Sequence, residues 1–223
     1  MIPRVQIAAA TVPGGGELRL IRRGSEYSIM LGANELMNSR LSGSEEALAS
    51  LSCERIAGRP APRLLIGGLG MGFTLRAALA QAGADASITV AELVPEVVEW
   101  ARDPMAEIFG SSLDDPRVTV AVGDVQALIL GARSEFDAIL LDVDNGPDGL
   151  SRETNDRLYS AAGLAAARAA LRPCGVLAVW SSAPDPRFTR RLQKAGFSVD
   201  ERVVRASGTG RGARHAIWIA VRP

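Results

Sequence analysis

Apolar segments of strand length alternate with alanine-rich, helix-forming segments through most of the chain. The apolar segments lie at residues 63 to 67, 87 to 92, 117 to 122, 136 to 142 and 175 to 181. They are predominantly apolar, whereas a strand with one face in solvent alternates apolar and polar positions. Strands buried on both faces and separated by helices are typical of an α/β fold. The pattern therefore predicts a mostly parallel, Rossmann-like sheet with helices on both faces.

Both ends of the chain depart from this pattern. Near the C-terminus, FSVDERVVRA and ARHAIWIAV flank the glycine-rich segment SGTGRG and predict an antiparallel hairpin, in which we expect His215 to be structural. Near the N-terminus, residues 17 to 31 predict a β-hairpin, and residues 35 to 38 predict a third short strand. The first sixteen residues are interrupted by proline and glycine, and we expect them to be frayed.

A helix and a proline-rich segment separate the two regions. Ser42 and Glu45 have the spacing of a capping box, and the segment SGSEEALASL that contains them predicts a helix. We expect the helix to end at AGRPAP, residues 57 to 62, where two prolines and a glycine indicate a boundary. The sequence therefore predicts an N-terminal β-hairpin plus helix appendage at 1–57 and a main domain at 58–223.

Charge and cysteine content narrow the function classes. Lysine plus arginine and aspartate plus glutamate both number 25, so the net charge is zero and we expect neither a nucleic acid nor a membrane partner. The two cysteines lie far apart and the chain has one histidine, so no metal site is predicted. Without a secretion signal or an apolar stretch of about 20 residues, we expect a cytoplasmic protein.

The segment LLIGGLGMGFTL joins the first apolar strand to the next predicted helix. Open parallel sheets bind ligands at the C-terminal ends of their strands, and glycines there let a ligand pack against the main chain and a helix N-terminus. Gly68, Gly70 and Gly72 are therefore candidate cofactor-binding residues. The alternative is a tight turn with close packing of strand and helix. The GxGxG spacing, with Phe73 in place of the third fingerprint glycine, disfavours a nicotinamide dinucleotide.

Acidic residues after two further strands extend this candidate site. Glu92 ends the second strand 20 positions after Gly72, where a carboxylate can accept both hydroxyls of a ribose. Asp124 follows the third strand, where it either caps the next helix or, with Val125 beside it, contacts an adenine. Together the three turns predict a site for an adenosine-containing cofactor.

The segments LLIGGLGMGFTLR, ITVAELVPEVVEWAR, DPRVTVAVGDVQALI and FDAILLDVDNGP resemble, in this order, those of the class I S-adenosylmethionine-dependent transferases. Within that superfamily the chain is most similar to the spermidine synthases, the aminopropyltransferases, from about residue 63 to its end. The resemblance implies a seven-stranded sheet and S-adenosylmethionine, or its decarboxylated form, over the glycine turn. It also implies Glu92 on the ribose, Asp124 near the adenine and an active-site loop that begins at Asp142.

Several positions differ from the aminopropyltransferase pattern. Met71 stands where the GGGDG turn of that family has an aspartate that helps hold the amino group of the decarboxylated cofactor. Val94 replaces the aspartate of the EIDP motif, and the tyrosine and histidine of the family's N-terminal region have no convincing equivalent. These differences place methyl transfer to a small acceptor, such as an amine, ahead of aminopropyl transfer. The alternatives are an aminopropyltransferase and a non-catalytic cofactor-binding protein.

Two carboxylates lie close together after the fourth strand, FDAILL. Transfer to an amine requires removal of a proton, so Asp142 is the candidate base as well as a cofactor-binding residue, and Asp144 is the alternative base. The competing interpretation of Asp142 is a structural role in a loop whose next residues, Asn145 and Gly146, are typical of turns. The predicted partners are a small-molecule acceptor and a second copy of the chain, bound through the N-terminal region.

Overall fold

The computed structural model describes residues 2–143, 157–207 and 212–223. This part of the chain contains eleven strands: β1 (Val5–Thr11), β2 (Glu17–Arg23), β3 (Glu26–Leu31), β4 (Asn34–Asn38), β5 (Arg63–Gly67), β6 (Ser87–Glu92), β7 (Val118–Val122), β8 (Phe136–Leu141), β9 (Leu171–Ser181), β10 (Ser198–Arg205) and β11 (Arg214–Val221). The described α-helices are α1 (Gly43–Arg55), α2 (Phe73–Gln81), α3 (Pro95–Arg102), α4 (Ala106–Phe109), α5 (Val125–Gly131), α6 (Ala161–Ala170) and α7 (Pro186–Lys194).

The larger of two sheets has seven strands in the order β10-β11-β9-β8-β5-β6-β7. The strands from β5 to β9 pair in parallel, and β11 runs antiparallel to both β9 and β10. The five apolar segments of the sequence form β5 to β9, and the two C-terminal segments form β10 and β11. The predicted fold class, a seven-stranded and mostly parallel sheet with an antiparallel C-terminal hairpin, is confirmed.

The strand order of this sheet reverses between β5 and β8. The chain runs outward from β5 to β6 and β7, and then returns to place β8 on the other side of β5. Such a reversal opens a crevice at the C-terminal ends of the two central strands, because the connections leave in opposite directions. The glycine turn follows β5 and Asp142 follows β8, so both border the crevice.

The N-terminal region forms a four-stranded antiparallel sheet in the order β1-β2-β3-β4. The predicted hairpin corresponds to β2 and β3, and the predicted third strand corresponds to β4. The expectation of a frayed start is wrong, because β1 pairs with β2. Ala10 at the end of β1 and Val12 just after it are buried in the core. Their burial removes apolar surface from water and stabilises a segment made mostly of small residues.

Helix α1 begins without the predicted capping box. The side chain of Ser42 makes no cap hydrogen bond. Glu45 accepts a hydrogen bond of 2.6 Å from the hydroxyl of Ser44 instead, so its carboxylate is not used to cap the helix. The buried face of α1, which includes Leu48, packs against α2 and β9. The division of the chain after residue 57 stays a prediction.

Two apolar cores cover the two faces of the seven-stranded sheet. One core contains side chains of α1, α2, α3 and the four-stranded sheet, and the other contains side chains of α5, α6 and α7. The four-stranded sheet thereby covers the C-terminal ends of the central strands. Within the described ranges, no helix has the length and apolar character needed to cross a membrane.

Candidate active site

A cavity lies at the C-terminal ends of β5, β6, β7, β8 and β9. The N-terminal region supplies an apolar wall made of Val12, Leu18, Ile29, Leu31, Leu36 and Met37. The remaining lining contains the glycine turn and four carboxylates, those of Glu45, Glu92, Asp124 and Asp142. An apolar wall combined with several carboxylates suits a ligand that has both an alkyl part and a cationic part.

Two of the three predicted glycines line this cavity. Gly68 and Gly70 both have positive φ, a conformation that favours glycine. A Cβ atom at Gly68 would collide with the main-chain oxygen of Asp142, so this glycine allows the turn and the end of β8 to approach each other. A Cβ atom at Gly70 would lie 2.7 Å from the sulfur of Met37. The turn is therefore packed closely against both walls of the cavity.

Gly72 has a different neighbour. Its φ is +73°, and a Cβ atom there would collide with the ring of Phe109, which is buried in the core. Among the described residues, the cavity lining includes Gly68 and Gly70 but not Gly72. Packing against Phe109 therefore accounts for the absence of a side chain at Gly72, and contact of this glycine with a cofactor stays a prediction.

Glu92 ends β6 and lies on the cavity wall, as predicted. Its Oε2 accepts a hydrogen bond from the N–H of Leu69 and its Oε1 accepts one from the N–H of Val94, each at 2.9 Å. Burial raises the pKa of Glu92 above its ordinary value, and the backbone hydrogen bonds oppose this rise. The backbone N–H groups of Gly70 and Leu93 also stabilise this carboxylate. Glu92 both braces the glycine turn and borders the cavity.

Asp124 has one of the two roles between which the sequence left a choice. Its Oδ1 accepts a hydrogen bond of 2.8 Å from the N–H of Gln126, so it caps the first turn of α5. Asp124 is exposed, Val125 is buried, and both line the cavity. The helix cap is confirmed, whereas contact with an adenine stays a prediction.

Asp142 lies on the cavity wall directly after β8. Its Oδ2 accepts a hydrogen bond of 2.6 Å from the Oγ1 hydroxyl of Thr74. Burial, and after it the negative charge of Glu45, raises the pKa of Asp142 from 3.8 to about 7, while the bond from Thr74 opposes the rise. A carboxyl group with this pKa can take up a proton near neutral pH. Asp144, the second predicted catalytic residue, lies outside the described residues.

Sequence reasoning missed four residues that the structure brings to this part of the cavity. Thr74 contacts Asp142, and Glu45 lines the same cavity. Ser44 contacts both Glu45 and, at 2.8 Å, the Nδ1 atom of His215. The hydroxyl and carboxylate groups of the segment SGSEE were a usable signal, but the capping interpretation assigned them to the helix alone. His215 lies 171 positions from Ser44 and had no local signal.

Met71 and Val94, which differ from the aminopropyltransferase pattern, lie in different environments. Met71 is fully buried in the core, and Val94 is buried and lines the cavity. Neither position supplies a carboxylate. Among the described residues, the carboxylates that line the cavity are those of Glu45, Glu92, Asp124 and Asp142.

The model of the spermine/spermidine synthase domain matches residues 41–190, about two thirds of the chain. The chain belongs to the spermine/spermidine synthase family. The match includes the glycine turn, Glu92, Asp124 and Asp142, and it leaves out β10 and β11. The resemblance inferred from the sequence motifs is confirmed.

The curated relatives of this chain are named for two different transfer reactions. The polyamine aminopropyltransferase of Mycobacterium tuberculosis (strain H37Rv) is 34% identical over 145 residues, which are 61% of this chain and 27% of that protein. The putrescine N-methyltransferase 2 of Nicotiana attenuata is 33% identical over 119 residues, 53% of this chain and 30% of that protein. This chain therefore spans between about a quarter and a third of the length of these relatives.

A solved structure supports the fold of the family member described here. The spermidine synthase of Thermotoga maritima superimposes with a TM-score of 0.76 on 98% of this chain and 73% of that one. The sequences are 18% identical, so the likeness concerns the fold.

Proposed function

We propose that this protein is an aminopropyltransferase that uses decarboxylated S-adenosylmethionine and an amine acceptor. The observation that carries the proposal is the acidic pair formed by Glu45 and Asp142 in the cavity that also contains the glycine turn and Glu92. An acidic pair attracts a cationic amine, and a carboxyl group that titrates near neutral pH can then take its proton.

The residues on the cavity wall fit an adenosyl donor. The carboxylate of Glu92 borders the cavity at the position expected for ribose hydroxyls, and the turn that contains Gly68 and Gly70 allows close approach to the main chain. Asp124 and Val125 border the position expected for the adenine. The apolar wall from the N-terminal region suits an alkyl chain and excludes water.

When bound, the donor supplies a carbon atom that carries a positively charged sulfur as leaving group. The protein aligns the amine nitrogen with that carbon, in line with the carbon–sulfur bond. As the nitrogen–carbon bond forms, the bonding electrons of the carbon–sulfur bond pass to sulfur, and Asp142 accepts the proton released by the amine. Glu45 supports this step because its negative charge increases the proton affinity of Asp142.

The family comparisons favour aminopropyl over methyl transfer, the reverse of the order predicted from Met71 and Val94. The family model is named for spermine and spermidine synthases, and the mycobacterial relative is named a polyamine aminopropyltransferase. The relative from Nicotiana attenuata is named a methyltransferase, so methyl transfer is the outcome that would replace the proposal.

Product analysis tests the proposal. We expect the purified protein to convert putrescine and decarboxylated S-adenosylmethionine to a product heavier by one aminopropyl group, detected by mass spectrometry. Asp142→Asn is expected to lower the rate about 100-fold or more while nucleoside binding is kept, which also excludes a protein that only binds the cofactor. A product heavier by one methyl group, formed only with S-adenosylmethionine, would overturn the proposal, as would transfer of neither group.

A further inference from the structure

Three side chains form a hydrogen-bonded chain from the last strand of the large sheet to the cavity. Nδ1 of His215 in β11 lies 2.8 Å from Oγ of Ser44. The hydroxyl of Ser44 donates a 2.6 Å hydrogen bond to Oε2 of Glu45. Ser44 is fully buried, His215 is half-buried and Glu45 lines the cavity. The fold thus connects the acidic pair to a residue near the other end of the sequence.

The chemistry of the three groups fixes the direction of these bonds. An ionised carboxylate only accepts hydrogen bonds, and a serine hydroxyl has one hydrogen to donate. Because Ser44 gives that hydrogen to Glu45, its oxygen must accept the hydrogen bond from His215. The imidazole therefore carries a hydrogen on Nδ1. The two donors, His215 and Ser44, both point toward the cavity.

The surroundings of His215 make it a fixed donor. Its ring meets the ring of Trp180 edge to face, with centroids 4.7 Å apart, and Trp180 lines the cavity. Burial lowers the pKa of His215 below its ordinary value, so the ring stays neutral at neutral pH. A neutral ring that is held on one side by an aromatic neighbour and on the other by Ser44 has one orientation in which it can donate.

We propose that His215, acting through Ser44, is a positioning residue that holds the carboxylate of Glu45 beside Asp142 in the orientation that receives the amine. The proposal rests on the proposed function, because it assigns a role in the binding of that acceptor. It reverses the expectation from the sequence that His215 is only structural.

The hydrogen bond from Ser44 affects the ionisation of Glu45 and, through it, the proton affinity of Asp142. Burial raises the pKa of Glu45, the nearby charge of Glu46 adds to the rise, and the bond from Ser44 opposes it. The charged group that acts on Glu45 is Glu46 on its own helix, and Glu45 in turn acts on Asp142 after β8. By favouring the ionised form of Glu45, Ser44 preserves the negative charge that increases the proton affinity of Asp142.

Nuclear magnetic resonance tests the chain of hydrogen bonds without any assay of activity. His215 is the one histidine of the sequence, so labelling with ¹⁵N-histidine gives the signals of a single imidazole. We expect the neutral tautomer with hydrogen on Nδ1 in the wild-type protein, and loss of that preference in Ser44→Ala. An Nε2–H tautomer in the wild type, or a spectrum unchanged by Ser44→Ala, would overturn the proposal.

Kinetics with putrescine then test the positioning role. His215→Phe, which keeps a ring but removes the donor, and Ser44→Ala are each expected to lower kcat/KM for the amine about tenfold, with 5′-methylthioadenosine affinity unchanged. His215→Asn places an amide N–H near the position of Nδ1 and is expected to restore most of the rate. Thr189→Val is the matched control, because it removes a 2.8 Å hydrogen bond from Trp218 on the same strand.

The possible outcomes separate this proposal from the proposed function. If His215→Phe lowers kcat/KM no more than Thr189→Val does, or if His215→Asn gives no rescue, the positioning role is wrong although the transferase remains. If the wild-type protein transfers neither group, the proposed function fails and the positioning role fails with it. The tautomer of His215 then still decides whether the hydrogen-bonded chain exists.

Discussion

The Oγ1 hydroxyl of Thr74 donates a hydrogen bond of 2.6 Å to Oδ2 of Asp142. Thr74 lies in the first turn of α2, after the glycine turn that follows β5. Asp142 directly follows β8, the strand that pairs with β5. The bond stabilises the ionised carboxylate, whereas burial and the charge of Glu45 stabilise the protonated form. The balance holds the pKa of Asp142 at about 7, where the group can act as a base at neutral pH.

Removal of the Thr74 hydroxyl is expected to raise the pKa of Asp142 further. In Thr74→Val the carboxylate loses a hydrogen bond of a kind worth about 1.5–3 kcal/mol, and less of it is ionised at pH 7. We expect the acidic limb of the kcat/KM profile for the amine to move to higher pH by about one to two units, and the rate at pH 7 to fall about sevenfold to 80-fold. The measurement is the pH dependence of kcat/KM with saturating donor.

Thr74→Ser is the control for this shift. It keeps the hydroxyl and removes one methyl group, so its acidic limb is expected to coincide with that of the wild-type protein. If Thr74→Val and Thr74→Ser have the same profile, the hydrogen bond does not set the ionisation of Asp142.

Asp142 also makes the stability of the protein depend on pH. Its pKa is raised from 3.8 to about 7 in the folded state, so the folded protein binds this proton more tightly than the unfolded chain does. The resulting stabilisation is fully present below pH 3.8 and is lost as the pH rises through about 7.

Asp142→Asn cannot ionise, so at pH 8 its melting temperature should exceed that of the wild-type protein by about 3 °C or more. This difference should shrink toward pH 4. A difference that is independent of pH would mean that the carboxyl group titrates normally.

The parts of the fold that the sequence predicts are those with strong local patterns. Strands β5, β6, β8 and β9 are mostly buried, and β7 is partly exposed at the edge of the sheet. Their predominantly apolar segments were recognisable without knowledge of their neighbours. Strand β1 was missed because its small residues resemble a loop until Ala10 is seen to pack in the core. The hydrogen bond between Ser44 and His215 was missed because only the order of the strands brings the two residues together.

The role of Gly72 shows a different limit of sequence reasoning. A ligand and a core side chain can both exclude a Cβ atom, and both leave the same glycine in the sequence. The structure assigns Gly68 and Gly70 to the cavity and Gly72 to Phe109. The predicted GxGxG motif thus combines two separate constraints.

Gly72→Ala is therefore expected to affect stability more than binding. Gly110→Ala is the matched control, because Gly110 also has a positive φ but has no atom within 4 Å of the position of a Cβ. Urea unfolding should show Gly72→Ala to be less stable than Gly110→Ala by about 1–3 kcal/mol, owing to the clash with Phe109. The affinity of folded Gly72→Ala for 5′-methylthioadenosine should stay within about threefold of the wild-type value. Loss of that affinity with unchanged stability would restore Gly72 to the cofactor site.

Glu92→Gln tests the carboxylate that links the glycine turn to the cavity. A glutamine side chain has one acceptor oxygen and one NH₂ group, so it cannot accept from both Leu69 and Val94 in the observed geometry. We expect the affinity for 5′-methylthioadenosine to fall about 30-fold or more, as measured by calorimetry. The control Glu99→Gln changes an exposed residue of α3 and should leave the affinity unchanged. Equal affinities of Glu92→Gln and the control would remove Glu92 from the binding site.

Calorimetric titration of the wild-type protein with decarboxylated S-adenosylmethionine and, separately, with S-adenosylmethionine tests the proposed function most directly. The two donors differ in one carboxylate, which the negative charges of Glu45 and Asp142 repel. We predict that the decarboxylated form binds at least about tenfold more tightly, a difference of about 1.4 kcal/mol. Tighter binding of S-adenosylmethionine would contradict aminopropyl transfer and indicate a methyltransferase.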